Sequence, residues 1–510
     1  MIDLFYHSPA LIILIPLISS LIVPLFGFIS KRLQHILFFI ILLITTFFGI
    51  LMSYEIYTIP EAEWSLAIEL GTLELISGEH VFVTHLLADG ISAIAAIILS
   101  ITTLAAGLYS YANLKEEEGG VSRYYLLFLI TVASTHGMIF SADFFSRFVW
   151  FQVVTASTAA LVAFRKYDGR AFEAALKYLT LSFIAWFFFL LSIIIAYHIH
   201  GEMQFYELAE SITGAFFDRI VMAILIVVMA FKSGAVPLHF VKPDAYSRAP
   251  SSVTAVMVVV SQAGLWTLFR IAFNVFGTDV NTYVVGWMVI MFGVLSAFIG
   301  VSMALVQRSI KRLMAYHAIS QTGYMLFGVG VGIAVMGTTD MGSFGRDAMV
   351  GGIFHIMNHA IYKGLLFLTA GAIIFRTGER DLNKMGGLGR NMKWTMLFFI
   401  IGALAISGVP PLNGFTSKII IYRSVYMFNP ILTVVGMIVS ILTLASFYKV
   451  FHSVFMGPER EKYSEVNEAP LSMLIGMALL AVAVILLSLF PGTAINIFVE
   501  PAIEALGVIA

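Results

Sequence analysis

The chain has 510 residues, of which 60% are hydrophobic and 12% charged, with a formal net charge of -1 and a mean hydropathy of +0.94. Soluble globular domains carry about 25% charged residues, so this composition excludes that class, and near-neutrality leaves no electrostatic case for nucleic acid. Cysteine is absent, which excludes a disulfide framework, an iron–sulfur cluster, a thiol catalyst and a Cys-ligated zinc within the chain; no cofactor is expected, and any electron transfer belongs to a partner subunit.

Apolar runs of about 20 residues have the length of a membrane-crossing helix. They begin near Leu11, His35, Val81, Tyr124, Phe144, Glu173, Phe217, Ala249, Thr282, Ser309, Ala348, Met392, Pro430 and Leu471. The sequence therefore predicts an all-α, multi-pass protein of the cell membrane with about fourteen transmembrane helices. Met1-Ile2-Asp3-Leu4 has no positive n-region, so the first run reads as a retained span rather than a cleaved signal. Basic residues fall in alternate connections: Lys31-Arg32, Lys115 and Arg123, Arg165-Lys166-Arg170, Lys242 and Arg248, Arg308-Lys311-Arg312, Arg376 through Lys393, and Arg460-Lys462. The intervening connections, such as Glu61 to Glu79 and Glu202 to Asp218, are acidic or neutral. The positive-inside rule then places the basic connections in the cytoplasm and both termini outside.

Lys232, Lys363 and Lys418 each interrupt such an apolar run. An ammonium at the bilayer centre costs about 2.5–3.5 kcal/mol on insertion scales, so lysines there face a wet interior and serve a function. Two of the runs also carry helix breakers. One reads Lys232-Ser233-Gly234-Ala235-Val236-Pro237-Leu238-His239, the other Ser407-Gly408-Val409-Pro410-Pro411-Leu412-Asn413. Proline removes an amide donor and clashes with the preceding turn, so the seventh and twelfth helices are expected to be discontinuous. Matching breaks five spans apart point to two inverted five-helix repeats. The implied division is residues 1–120 (helices 1–3), 121–278 (first repeat, helices 4–8), 279–458 (second repeat, helices 9–13) and 459–510 (helix 14).

In the eleventh run His355, His359 and Lys363 recur at i, i+4 and i+8. This spacing sets them on one helix face over about 12 Å, a stripe suited to relaying protons, since histidine titrates near neutral pH. The stripe is also open to reading as a haem-binding histidine pair or as plain interhelical hydrogen bonding. Asp89, His136, Asp143, Gln152, His239, Gln262 and His317 are weaker signals, each consistent with a satisfied packing residue.

Several long passages in order resemble one family: Lys232 to Pro250, Lys311 to Tyr324, His355 to Gly371, Arg380 to Leu388 and Ser407 to Lys418. From about residue 80 to about 460, the chain resembles the antiporter-like subunits shared by Mrp-type multisubunit Na⁺/H⁺ antiporters (the D-type among them), the membrane arm of respiratory complex I, and archaeal membrane-bound hydrogenase-type complexes. The resemblance implies that Lys232 is the channel lysine of the broken seventh helix, with His239 after the break. It further implies that Lys418 is the lysine of the broken twelfth, and that His355, His359 and Lys363 connect the two half-channels. Asp89 falls on the D-G-x-S motif that opens the third span. Two positions depart from the family pattern. Gln152 stands where most members carry a glutamate that pairs with the seventh-helix lysine, and Gln262 where they carry a second titratable residue. Glutamine hydrogen-bonds but does not titrate, so the first half-channel is expected to be altered or silent. Asp143, about 13.5 Å before Gln152 along a helix, and the Glu173–Lys177 pair are not substitutes for the missing carboxylate.

The expected function is thus an ion-translocating subunit moving H⁺, or exchanging it for Na⁺, inside a larger membrane complex. That complex is read as an oxidoreductase of hydrogenase or complex I type, and this chain would hold no redox centre. The expected partners are another antiporter-like subunit, small membrane subunits, a peripheral redox arm and the lipid bilayer, with no nucleic acid. The alternatives are a structural subunit with an inactive first half-channel, a subunit of a purely secondary Mrp-type antiporter, and an independent haem-bearing or substrate transporter. The end of the chain soon after the fourteenth run favours the shorter branches of the family. The lack of cysteine suggests a thermophilic source.

Overall fold

Where about twenty consecutive side chains are apolar, an α-helix leaves no backbone group unpaired in hydrocarbon, and the computed structural model follows that rule. It describes residues 7–58, 66–74, 80–115, 120–165 and 168–507; Met1 to Leu4, Lys166 and parts of the Glu61–Glu79 connection lie outside them. In chain order come α1 (Ser8–Phe26), α2 (Lys31–Thr58), a hairpin of β1 (Leu66–Glu74) and β2 (His80–Ala88), α3 (Gly90–Lys115), α4 (Val121–Phe140), α5 (Phe144–Val162) and α6 (Gly169–His200). There follow α7 (Phe216–Ser233), α8 (Val241–Arg248), α9 (Ser251–Arg270), α10 (Thr282–Leu305), α11 (Ile310–Ala334) and α12 (Arg346–Thr377). Next come α13 (Lys393–Ser407), α14 (Asn413–Phe428), α15 (Pro430–Phe451) and α16 (Leu471–Leu489), with short helical turns after it at Pro491–Ala494 and Glu500–Glu504. Among the described residues, ten helices are long and apolar enough to cross a membrane. The chain is therefore a multi-pass membrane protein. Helices α4, α7, α11, α13 and α14 are shorter or more polar.

Two expectations need correction. The architecture is all-helical apart from one hairpin, and the third apolar run begins there as strand: His80–Ala88 pairs antiparallel with Leu66–Glu74, and the helix starts at Gly90 rather than near Val81. Val81, Phe82, Val83 and Thr84 are β-branched or aromatic and favour a strand, and Asp89 then caps α3 by accepting from the Ser92 amide at 3.0 Å. Lys242 and Lys311, counted as cytoplasmic connection charges, are buried on α8 and α11 instead.

Helix α12 forms the axis of the molecule. It packs against α3, α9, α11, α13, α14 and α16, and every residue from Ala348 to Ile373 is buried. All of α9 is buried as well. A polar side chain on either helix must therefore find its partner within the protein.

Both helix breakers act as expected. α7 stops at Ser233 with Gly234 at φ 74°, and α13 stops at Ser407 with Gly408 at φ 75°. Each glycine is followed by a cis X–Pro bond, Val236–Pro237 and Pro410–Pro411, before the chain resumes as α8 and α14. A left-handed φ is the conformation that favours glycine, and it turns the chain sharply enough to leave the last carbonyls of α7 and α13 without helical partners.

Candidate functional site

Those carbonyls organise the second half of the molecule. Lys418, on α14, folds back across Gly408 and donates from Nζ to the Ile406 carbonyl at 2.8 Å and to Ser440 Oγ of α15 at 2.9 Å. A helix C-terminus carries roughly half a negative charge, so the ammonium is held without a carboxylate. Its face is covered by the Tyr324 ring, 4.7 Å from Nζ.

In the first half, Lys232 stands just before the break on α7, buried at 7% exposure. Nζ donates to Thr155 Oγ1 of α5 at 3.0 Å and sits 4.3 Å over the Phe151 ring. Gln152, one turn earlier on the same helix, is half-buried. The α5 group that Lys232 reaches is thus a hydroxyl that sequence reasoning passes over.

The α12 stripe fans out rather than forming one line. His355 turns toward the second half: Nδ1 lies 2.9 Å from Ser417 Oγ and Nε2 3.1 Å from Gln321 Oε1. His359 turns toward the first half, where Gln262 Nε2 donates to its Nδ1 at 2.8 Å and to the Ile356 carbonyl at 3.1 Å. Lys363 points elsewhere again, 5.4 and 5.7 Å from the Phe367 and Phe447 rings. The cause is geometric: four residues are more than one turn of 3.6, so each i+4 step rotates the side chain by about 40°. Among the described residues, His359 Nε2 and Lys363 Nζ have no hydrogen-bond partner. Both ring nitrogens of His355 are engaged, so neither faces an open position where a haem iron could sit.

The remaining candidates separate by what they touch. His317 of α11 places Nε2 2.8 Å from Ser446 Oγ of α15, and its ring lies 4.7 Å from that of Phe447, the aromatic beside Lys363. His239 is half-buried after the first break, stacked on Phe240 with ring centroids 4.9 Å apart. Asp143 caps α5, accepting from the Ser146 amide at 2.6 Å. His136 is fully buried, with Nδ1 2.9 Å from the Val132 carbonyl one turn back on its own helix. Asp89 forms a bidentate ion pair with Arg270, at 2.8 and 2.6 Å. Asp89 and His136 have structural partners that account for their burial, and Asp143 is held by its cap through one carboxylate oxygen. Glu173 and Lys177 pair at 2.6 Å on an exposed helix face, a surface contact of little consequence.

Four of the buried titratable groups share one feature. Lys232 meets Thr155, Lys418 meets Ser440, His355 meets Ser417 and His317 meets Ser446. A hydroxyl both donates and accepts, so it satisfies the nitrogen whether that nitrogen is protonated or not. A carboxylate would hold the charge in place; a hydroxyl lets the proton leave and return. Sequence reasoning singles out none of these hydroxyls, although Ser417 stands next to Lys418 in the chain.

The family model described as NADH:quinone oxidoreductase/Mrp antiporter, TM matches residues 141–443. The chain is similar to the D-type subunit of the Na(+)/H(+) antiporter of Alkalihalophilus pseudofirmus, 30% identical over 407 residues and covering 78% of each protein. It is 29% identical over 415 residues to hydrogenase-4 component B of Escherichia coli, covering 79% of this chain and 62% of that protein's length. Among solved structures, a chain of the membrane-bound sulfane sulfur reductase, an archaeal respiratory membrane complex, superposes with a TM-score of 0.83 at 27% identity, covering 96% of this chain and 77% of the other. A chain of the Mrp complex from a Dietzia species matches in fold with a TM-score of 0.85 at 20% identity, over 99% of both chains.

Proposed function

We propose, since the chain belongs to the NADH:quinone oxidoreductase/Mrp antiporter transmembrane family, that it is an antiporter-like subunit that translocates H⁺, or exchanges it for Na⁺, within a multisubunit membrane complex. The complex is of the membrane oxidoreductase type, hydrogenase-like or complex I-like. Two similarities support this reading, one to hydrogenase-4 component B and one to a chain of the sulfane sulfur reductase complex. The chain would work beside another antiporter-like subunit and small membrane subunits, with a peripheral arm supplying the redox energy.

The observation that carries the reading is the set of buried lysines and histidines facing hydroxyls, with α12 reaching toward both halves: His359 to Gln262 of α9 and His355 to Ser417 of α14. In the proposed path, Lys418 gives up its proton while Ser440 turns from acceptor to donor, and neither of the two is stranded in either state. Lys232, His239, His355, His359, Lys363 and Lys418 are the ion-path residues of this proposal. Fourteen crossings follow if α7–α8 and α13–α14 each count as one broken span. The matched breaks at Gly234 and Gly408 support two inverted repeats, 121–278 and 279–458, between the N-terminal helices (1–120) and a last helix (459–510).

The test is ion movement in proteoliposomes that carry the whole native complex, comparing wild type with Lys418→Ala at matched assembly and matched turnover of any redox partner. Loss of most H⁺ or Na⁺ flux is the expected result; unchanged flux would remove this chain from the conducting path. A second reading, a structural subunit with a silent first half, is favoured by one observation: the contacts of Lys232 are to neutral groups, Thr155 and Phe151. Membership of a purely secondary antiporter, favoured by the likeness to the Alkalihalophilus protein, would show as transport independent of any electron donor.

A further inference from the structure

Lys242 has the sequence surroundings of a connection charge, yet it is 4% exposed and lies on α8, inside the molecule. Its Nζ donates to the Ser233 carbonyl, the last residue of α7, at 2.7 Å. It reaches that carbonyl by crossing Gly234: a Cβ there would come within 2.5 Å of Lys242 Cδ. Lys418 does the same at the other break, where a Cβ on Gly408 would lie 2.9 Å from its Cδ. The second-half lysine therefore has a first-half counterpart in position and contact, and it is Lys242 rather than Lys232, which precedes the break.

Lys232 and Lys242 also share a cavity. A space of about 20 Å³ lies between α6, α7, α8 and α9, with both lysines on its wall beside the hydroxyl residues Tyr178, Ser182, Tyr246 and Ser261. A water needs about 10–15 Å³ and two to four polar partners, so one water fits and is well served. The acid on the helix of Lys242, Asp244, is taken up by Arg312 at 2.9 Å and lies 4.0 Å from Lys177. Gln262, the α9 side chain that already touches His359, cannot carry a proton.

We propose that Lys242 is an ion-path residue of the first half, which takes the proton of Lys232 through a single water in this cavity. The step moves one proton and no electrons. An N–H bond of the Lys232 ammonium breaks as the water accepts, the water releases a different proton to the lone pair of a neutral Lys242, and the positive charge has moved from α7 to α8. This inference rests on the ion-translocating function proposed above and adds to it a second titratable residue beside Lys232 in the first half.

The experiment uses the assembled complex in proteoliposomes and four variants: Lys242→Met, Lys242→Arg, Lys232→Ala and the Lys232→Ala/Lys242→Met double, with Lys418→Ala as the reference for the function itself. The expected result is a flux at least three-fold below wild type for Lys242→Met, with the double variant no lower than Lys232→Ala, because the two lysines act in series. Lys242→Arg keeps a cationic donor for the Ser233 carbonyl but does not release its proton, so it too is expected to lose flux with assembly intact. Wild-type flux in Lys242→Arg, or in an assembled Lys242→Met, would make Lys242 a helix cap and overturn the proposal. If Lys418→Ala still abolishes flux in that case, the function stands without it; if neither variant changes flux, both fall. Should Lys242→Met fail to assemble, the Arg variant alone decides.

Discussion

Arg270 sets two guanidinium nitrogens against the two carboxylate oxygens of Asp89, with both side chains buried. Removing one partner of such a pair strands the other charge and costs about 3–5 kcal/mol. Asp89→Asn is therefore expected to lower the thermal stability of the assembled complex clearly, while flux per intact complex stays near wild type; an unchanged melting temperature would show that the pair contributes no stability. Lys232 and Lys418 are different, because the hydroxyls beside them do not fix a charge. The sequence ranks the lysines above Asp89, Asp143 and His136, but it does not identify Arg270, Thr155 or Ser440. A partner more than a hundred residues away, as Arg270 is from Asp89, leaves no local pattern to read.

At the scale of the element, the two helix breaks are where local sequence is most informative. Glycine followed by X–Pro ends a helix for reasons contained within a few residues, so the stops at Ser233 and Ser407 are legible. The lysine that crosses each glycine is not. Gly408→Ala is opposed by two effects, about 1–2 kcal/mol for a left-handed φ and the displacement of Lys418. Gly378 ends α12 at φ 67°, and a Cβ there would have nothing within 4 Å. Gly378→Ala thus carries the backbone cost alone. The expected outcome is a loss of stability in both variants, larger in Gly408→Ala, and a loss of flux per assembled complex only in Gly408→Ala. Equal flux in the two would mean that crowding Lys418 is without consequence.

For the whole molecule, the asymmetry between halves is the point at issue. The second half holds Lys418 on a helix C-terminus, at the Ile406 carbonyl, and beside Ser440, which Tyr422 approaches at 2.8 Å. Lys232 donates to Thr155 and lies over the Phe151 ring, both neutral side chains. Lys232→Ala is accordingly expected to leave more flux than Lys418→Ala, measured side by side in proteoliposomes at matched assembly. Equal and near-complete loss from both would contradict an impaired first half. Relatives come from hosts as different as Escherichia coli and Alkalihalophilus pseudofirmus, so family membership carries no information on growth temperature, and the thermophilic reading of the composition gains no support from it.

By itself the sequence determined that the chain lies in a membrane, where its apolar runs begin to within a few residues for most helices, and where two of them break. These properties depend on hydropathy and on glycine and proline, which act on their own neighbourhood. The tertiary structure alone decided which polar groups meet: His359 with Gln262, His355 with Ser417, Lys232 with Thr155, and Lys242 with the end of α7. It also decided that Lys242 and Lys311 lie inside and that β2 precedes α3. A charge beside a run of apolar residues reads the same whether it caps a broken helix or faces water, and only the packing of α8 against its neighbours separates the two.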